Sequence, residues 1–140
     1  MSSDSSRILL VEDEPTLLTL YRLALSKLAN ITAVTTVEEA IQAIDTTVTA
    51  AVLPEVILLD LLIPTKLGDN VDFKQRNGFV VLKYIKGVAA FNDVPIFVMT
   101  NLDSSEDRAT ATAMGVTGYI VKSNVVPADI IQKIQPYLAS

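Results

Sequence analysis

Short aliphatic runs along the chain alternate with longer segments in which apolar residues recur at helical spacing. The runs are Arg7–Val11, Ile31–Val34, Val56–Asp60, Ile96–Met99 and Val116–Val121. Continuous aliphatic runs of this length indicate strands that are buried on both faces. The strand–helix order, repeated five times, therefore predicts an α/β domain with an open, doubly wound parallel sheet.

The segments between the runs predict five helices. Pro15 suits a first helical turn, and apolar spacing carries that helix to about Leu28. Thr36 followed by two acids predicts the start of the second helix. The others are predicted over Gly78–Lys86, from Ser104 to Gly115 and over Ala128–Leu138. Pro136 is expected to kink or end the last one, because it removes a backbone donor.

Composition narrows the chemistry that such a domain can carry. The chain has 140 residues, half of them hydrophobic, with no Cys, His or Trp. This excludes disorder, zinc fingers, haem and thiolate sites, and also Ser-His-Asp and Cys-His catalysis. Any metal must be held by oxygen, which favours Mg²⁺ or Ca²⁺. A formal charge of −5 argues against broad electrostatic binding of nucleic acid.

The termini and the hydropathy predict a cytoplasmic domain. No stretch is long and apolar enough to span a membrane. Residues 1–6 lack the basic start and apolar run of a signal peptide, so they are predicted to be a short disordered tail. Residues 7–140 are predicted to form the single domain.

Four of the predicted strands end in groups suited to phosphate and metal chemistry, namely Glu12–Asp13, Asp60, Thr100 and Lys122. Any one of the acidic or hydroxyl groups could be an ordinary helix cap. Capping does not explain a lysine after the fifth strand and carboxylates after the first and third. In the common doubly wound order 2-1-3-4-5, the first and third strands are neighbours, so the three carboxylates converge.

Three close carboxylates repel one another, and a divalent cation relieves that repulsion. Mg²⁺ prefers a few carboxylates together with water and a phosphate oxygen. Thr100 adds a hydroxyl and Lys122 a compact positive charge, so the set suits a phosphoryl group held beside Mg²⁺. Without histidine, the nearest nucleophile is a carboxylate, which would form an aspartyl phosphate. No Gly-x-Gly-x-x-Gly motif or P-loop follows the first strand.

Four motifs together resemble a response-regulator receiver domain. They are Leu9–Pro15, Ile57–Pro64, Met99–Thr100 and Gly118–Lys122. The resemblance covers Arg7–Leu138 and implies a CheY-like, flavodoxin-like three-layer sandwich with strand order 2-1-3-4-5. It also implies Mg²⁺ as the cofactor and a role in a two-component phosphorelay.

The resemblance also implies roles for the acidic residues. Asp60 would be the phosphoacceptor, supplied by a histidine of a sensor kinase or of a histidine phosphotransfer protein. Asp13 would bind Mg²⁺ directly and Glu12 through water. Asp60 would add a side-chain oxygen, and Leu62 a backbone carbonyl.

The same resemblance implies a switch and an output. Lys122 would neutralise the phosphoryl charge, Thr100 would turn to hydrogen-bond it, and Tyr119 would move inward behind Thr100. A downstream protein would bind the face formed by the fourth helix, fifth strand and fifth helix, which could also form a homodimer. No direct contact with nucleic acid or membrane is expected, and no enzyme activity beyond weak self-phosphorylation and self-dephosphorylation.

An insertion at about residues 67–76 departs from the family pattern beside the acceptor. It is either a tolerated surface loop or a lid or partner-selecting element that brings Lys66, Lys74 or Arg76 near the phosphoryl group. Because only Ala139–Ser140 follow the last helix, a stand-alone receiver is expected, with a domain of a larger protein as the alternative.

Single residues depart from the pattern as well. Asn101 follows Thr100 where a small residue is usual, and Ser123 follows Lys122 where proline is usual. Leu62 and Leu102 occupy variable positions near the phosphoryl, and their apolar side chains cannot orient an attacking water. Slow self-dephosphorylation is therefore predicted.

Two other functions remain open from the sequence. One is a receiver-fold interaction module that is never phosphorylated. The other is a phosphatase of the haloacid-dehalogenase type, which normally needs a second Asp two residues after its nucleophile. Leu62 stands at that position.

Overall fold

A single parallel sheet organises the chain. The computed structural model describes residues 6–72 and 74–138. Its five strands lie in the order β2-β1-β3-β4-β5, which confirms the predicted α/β class and strand order. They are β1 (Arg7–Val11), β2 (Asn30–Val34), β3 (Val56–Leu59), β4 (Ile96–Thr100) and β5 (Gly118–Val121).

Five α-helices connect and cover these strands: α1 (Pro15–Leu25), α2 (Val37–Ala50), α3 (Gly78–Lys86), α4 (Ser105–Ala113) and α5 (Pro127–Ile134). A side chain caps the N-terminus of three of these helices, namely α1, α2 and α4. Thr36 accepts the Glu39 N–H at the start of α2, as predicted, and Ser104 accepts the Asp107 N–H at the start of α4.

Three elements differ most from their predicted bounds. Helix α1 ends at Leu25 rather than near Leu28, because the N–H groups of Leu28 and Ala29 both turn back to the Leu25 carbonyl. Strand β5 begins at Gly118 rather than Val116. Helix α5 covers Pro127–Ile134 rather than Ala128–Leu138, because Pro136 lies in a 3-10 turn over Gln135–Tyr137.

The two faces of the sheet carry separate hydrophobic cores. Along β1, Leu9 and Val11 pack with residues of α2 and α3, while Ile8 and Leu10 pack with residues of α1 and α5. In a smaller cluster, Ala111 of α4 packs with Val98 of β4 and with Leu61. Burial on both faces explains why the strand sequences are continuously aliphatic rather than alternating.

The ends of the chain bear on two predictions. The predicted disordered tail over residues 1–6 lies outside the described residues except for Ser6. Ser6 is buried, and its carbonyl accepts the Asn30 N–H at 2.9 Å, next to β2. Across residues 6–72 and 74–138, no helix is long and apolar enough to cross a membrane.

The long loop between β3 and α3 contains the predicted insertion, and it is closed at its base. The Gly78 N–H donates to the Leu61 carbonyl, and Asn77 Nδ2 donates to the Ile63 carbonyl, each at 3.0 Å. A Cβ at Gly78 would lie 2.3 Å from the Asp60 carbonyl oxygen, so only glycine allows α3 to start this close to Asp60. The loop thus leaves and returns beside the same carboxylate.

Candidate functional site

The carboxyl edge of the sheet brings the predicted site residues into one cavity. Its volume is about 300 Å³. Glu12 and Asp13 follow β1, Asp60 follows β3, Thr100 ends β4 and Lys122 follows β5. The cavity is also lined by Glu14, Pro15, Leu17, Leu62, Val71 and Asn101. Parallel strands end at a common edge, which is why residues so far apart in sequence meet here.

Lys122 forms the centre of a buried charge cluster. Its Nζ lies 2.6 Å from Glu12 Oε1 and 2.7 Å from Asp60 Oδ2. The exposed fraction of the whole residue is 0% for Glu12, 4% for Asp60 and 9% for Lys122. The second oxygens also have donors, since Glu12 Oε2 accepts the Glu14 N–H and Asp60 Oδ1 accepts the Leu62 N–H, each at 3.1 Å. Both buried carboxylates are therefore held in fixed orientations.

Burial and mutual repulsion shift the titration of this cluster. Burial raises the pKa of Glu12, and the charge of Asp60 raises it further, against the opposing effect of Lys122. Burial and Asp60 likewise raise the pKa of Asp13. Burial disfavours the charged form of Lys122, but Asp60 and Glu12 outweigh it and raise the lysine pKa. One lysine therefore leaves the three acids incompletely neutralised.

The acidic side of the cavity fits a hard divalent cation. Ligand oxygens of Glu12, Asp13 and Asp60 all lie within 4.8 Å of one another. Oxygen-only donors suit Mg²⁺ or Ca²⁺, and Asp13 is only partly buried, which leaves room for water ligands. Leu62, the fourth predicted ligand residue, lines the same cavity.

The two predicted switch residues are connected through the backbone of one residue, Leu102. Thr100 is fully buried, and its Oγ1 accepts the Leu102 N–H at 3.4 Å. The Leu102 carbonyl in turn accepts the Tyr119 hydroxyl at 2.6 Å. A displacement of the Leu102 backbone would therefore change the contacts of both Thr100 and Tyr119.

Tyr119 faces a set of charged residues at the start of α4. The Arg108 guanidinium lies over its ring, 4.9 Å from the centroid, and Arg108 also pairs with Asp103 at 2.7 Å. Burial and the nearby Asp107 raise the pKa of Tyr119 to about 12. The phenol is thus a hydrogen-bond donor at every physiological pH.

The basic residues of the insertion are not where the lid hypothesis places them. Arg76 Nε lies 3.2 Å from Asp107 Oδ1, which ties the end of the loop to α4 rather than to Asp60. Lys66 and Lys74 are exposed and do not line the cavity. The insertion instead contributes Val71 to the cavity wall. Arg76 thus contacts α4 in this structure, and a lid role for the insertion stays a prediction.

Two of the noted departures from the family pattern contact each other. The Ser123 N–H donates to Asn101 Oδ1 at 2.8 Å, and Asn101 also lines the cavity. Sequence reasoning marked both positions but gave no signal that they pair. Leu102, expected near the phosphoryl, packs with Leu61, Val98 and Ala111, whereas Leu62 does line the cavity.

The comparisons with known proteins agree with this geometry. The family model described as response regulator receiver domain matches residues 8–135. A solved structure of the phosphorylated cyanobacterial phytochrome response regulator RcpA has a TM-score of 0.71 and 25% identity, covering 94% of this chain and 89% of that chain. No curated protein matches the chain.

Two further solved structures share the fold. The BeF3-activated N-terminal receiver domain of Klebsiella pneumoniae RstA has a TM-score of 0.70 and 22% identity, covering 96% of this chain and 100% of that chain. The receiver domain of sensor histidine kinase PA1611 from Pseudomonas aeruginosa has a TM-score of 0.73 and 22% identity, covering 94% of this chain and 96% of that chain. Its structure holds a magnesium ion coordinated in the active-site cleft.

Proposed function

Because the chain belongs to the response regulator receiver domain family, we propose that it is the phosphoacceptor of a two-component phosphorelay. In this proposal Asp60 receives the phosphoryl group from a histidine of a sensor kinase or of a histidine phosphotransfer protein. Residues 1–140 contain no histidine, so in this proposal the donor histidine lies outside this domain.

One observation carries this proposal. Three carboxylates with ligand oxygens within 4.8 Å of one another share a cavity with a buried lysine that contacts two of them. A purely structural sheet edge has no reason to concentrate buried negative charge in this way, because unpaired buried carboxylates are costly. The arrangement favours a site that binds a cation and a phosphoryl group together.

The donor set supports Mg²⁺ as the cofactor. Asp13 would bind it directly, Glu12 through water, Asp60 by a side-chain oxygen and Leu62 by its backbone carbonyl. When bound, the ion would supply positive charge that offsets the repulsion among the acids and the charge of the phosphoryl oxygens.

The transfer step follows from the position of Asp60. A carboxylate oxygen of Asp60 attacks phosphorus, and the new O–P bond forms as the P–N bond to the donor imidazole breaks. The imidazole keeps the electron pair of that bond and takes up a proton. Lys122, already 2.7 Å from Asp60, neutralises charge on the phosphoryl oxygens during transfer.

The response is proposed to travel through Thr100, Leu102 and Tyr119. If Thr100 Oγ1 turns to the phosphoryl group, it leaves the Leu102 N–H. The Leu102 backbone, whose carbonyl accepts the Tyr119 hydroxyl, is then free to move. Tyr119 then moves inward, which alters the face of α4, β5 and α5 for a downstream protein or a second copy. No direct nucleic-acid or membrane contact is proposed.

The test compares the native chain with Asp60→Asn after incubation with Mg²⁺ and acetyl phosphate. We expect a mass gain of one phosphoryl group in the native chain and in the control Asp93→Asn, whose carboxylate is exposed. Asp60→Asn should show no gain.

Absence of a gain in the native chain, from acetyl phosphate and from candidate kinases alike, would overturn the proposal in favour of an unphosphorylated interaction module. Multiple turnover of phosphate esters would instead support an enzyme. We propose no such activity, and we expect the aspartyl phosphate to persist far longer than seconds, since Leu62 cannot orient water.

A further inference from the structure

A hydrogen bond joins the segments that follow β4 and β5, and each of these segments contributes a residue to the cavity lining, Asn101 and Lys122. The parallel ladder between β4 and β5 ends with the pairing of Thr100 and Val121. Just beyond it, the Ser123 N–H donates to Asn101 Oδ1 at 2.8 Å. The side-chain oxygen of Asn101 thereby continues the ladder past the point where backbone carbonyls stop.

The Ser123 N–H needs an acceptor of this kind. Ser123 lies in the 3-10 turn Lys122–Asn124, and the first N–H groups of such a turn have no partner within it. The internal bond of the turn, from the Val125 N–H to the Lys122 carbonyl, is long at 3.4 Å. A backbone N–H can only donate, so the amide atom facing it must be oxygen. Asn101 thus supplies a short, well-defined contact that holds the start of this turn.

We propose that Asn101 is a positioning residue that holds Lys122 in place for phosphoryl transfer, an inference that rests on the proposed function. The Lys122 Nζ contacts Glu12 and Asp60 within 2.7 Å, so a small shift of its backbone would move it off both oxygens. Ser123 is the next residue after Lys122, and Asn101 is the next residue after Thr100. The hydrogen bond therefore couples the two strand ends whose side chains meet the phosphoryl group.

Asn101 does not belong to the acidic cluster, which separates its role from metal binding. The ligand oxygens come from β1 and β3, whereas Asn101 and Ser123 follow β4 and β5. Loss of the hydrogen bond should therefore slow phosphorylation without lowering the Mg²⁺ affinity, because moving Lys122 away from Glu12 and Asp60 takes no ligand oxygen from the cluster. A general loosening of the cavity would lower both.

The test uses Asn101→Ala, which removes the acceptor, and Ser123→Pro, which removes the donor. Ser123→Ala is the matched control, because it keeps the N–H and loses only the hydroxyl. With acetyl phosphate at saturating Mg²⁺, each of the first two should lower the phosphorylation rate about two- to tenfold, the range of one hydrogen bond. Ser123→Ala should leave the rate unchanged. Mg²⁺ affinity, measured by calorimetry without phosphodonor, should be no lower in any of the three variants than in the native chain.

The double variant isolates the hydrogen bond from any rearrangement that proline itself causes. Asn101→Ala should cost rate in the native background and nothing further in the Ser123→Pro background. Amide hydrogen exchange at Ser123 gives a readout that needs no phosphorylation. Exchange should be faster in Asn101→Ala than in the native chain and unchanged at Val121.

The outcomes separate this inference from the proposed function. A native chain that is phosphorylated, with Asn101→Ala at the native rate or with equal losses of rate and Mg²⁺ affinity, would overturn the positioning role alone. Unchanged exchange at Ser123 in Asn101→Ala would also overturn it. A native chain that no donor phosphorylates would overturn the proposed function, and the positioning role with it.

Discussion

Two clusters of opposite charges lie within this small domain, and they differ in burial. In the cavity, Lys122 contacts Glu12 and Asp60 at 2.6 and 2.7 Å, with at most 6% of any of these side chains exposed. At the start of α4, Arg108 pairs with Asp103 at 2.7 Å, yet their side chains are 44% and 54% exposed. Similar distances therefore carry different energies, because water screens the second pair and not the first.

The difference suggests how a signal could pass between the clusters. Changing the charge in the buried cluster has a large energetic effect, since every oxygen there already has a fixed partner. The contacts around Tyr119 are weaker and partly solvated, so they rearrange at low cost. The Leu102 backbone connects the two through Thr100 and Tyr119. In the proposed switch, the buried cluster would hold the phosphoryl group, and the partly solvated contacts around Tyr119 would rearrange.

The largest expected effect comes from removing the buried cation. Lys122→Met keeps the side-chain volume and leaves Glu12 and Asp60 without their counter-ion, so the free energy of unfolding should fall by about 3–5 kcal/mol near neutral pH. Urea denaturation measures this change. The loss should shrink at acidic pH, because unpaired carboxylates in the fold take up protons more readily than in the unfolded chain.

Lys133→Met is the matched control for this prediction, because Lys133 is exposed on α5. Its free energy of unfolding should change by less than about 0.5 kcal/mol. Equal losses for the two variants would remove the contrast between a buried and an exposed charge.

A smaller effect of opposite sign is expected from Glu12→Gln. The raised pKa of Glu12 means that its ionised form destabilises the fold, so the neutral isostere should raise the free energy of unfolding by on the order of 1 kcal/mol at pH 7 without Mg²⁺. The gain should disappear as pH falls through the pKa of Glu12, where the native side chain also becomes neutral. Denaturation at several pH values measures it.

The exposed acid of α4 provides the control for this variant. Glu106→Gln should give no gain, because Glu106 is exposed in the first turn of a helix, where a negative charge is favourable. Mg²⁺ should stabilise the native chain more than Glu12→Gln. A gain from Glu106→Gln as large as that from Glu12→Gln would attribute the effect to net charge rather than to the cavity.

The smallest effect is expected from removing Arg76, which pairs with Asp107 in the first turn of α4. Arg76→Ala should lower the free energy of unfolding by less than about 1 kcal/mol, since the Arg76 side chain is 30% exposed and Asp107 keeps its bond from Ser104 Oγ at 2.8 Å. Phosphorylation by acetyl phosphate should proceed at the native rate. Lys74→Ala, in the same loop, is the control. A large loss of phosphorylation rate in Arg76→Ala alone would support the hypothesis that the insertion is a lid that brings Arg76 near the phosphoryl group.

The sequence was sufficient for the sheet and for the residues that converge on its edge. Buried parallel strands have a strong aliphatic signal, and their carboxyl ends must meet, so Glu12, Asp60 and Lys122 could be placed together before any coordinates. Helix ends were less certain. The extent of α5 depended on whether Pro136 would kink the helix or end it, and the chain forms a 3-10 turn there instead.

Contacts made through loops could not be predicted, because loops have no periodicity from which a neighbour follows. The pairing of Arg76 with Asp107 joins residues that are 31 positions apart, and the bond between Asn101 and Ser123 joins two that are 22 apart. Arg76, Asp107 and Asn101 each have several rotamers that would satisfy their polar groups locally, and the direction of the Ser123 N–H depends on the path of its loop. Only the folded arrangement of the neighbouring loops selects one of them.

The closed base of the β3–α3 loop has a consequence for engineering and for divergence. Since the Leu61–Gly78 and Ile63–Asn77 hydrogen bonds hold the two ends together, each doubling of the loop length costs only about 0.6 kcal/mol of closure entropy. Leu67 at the exposed part of the loop is 78% accessible, and nothing lies within 4 Å of a Cβ at Gly68. A reporter domain grafted at this exposed part of the loop would leave the sheet intact, on a loop whose base lies beside Asp60. The same freedom would let relatives vary partner recognition here without altering the chemistry.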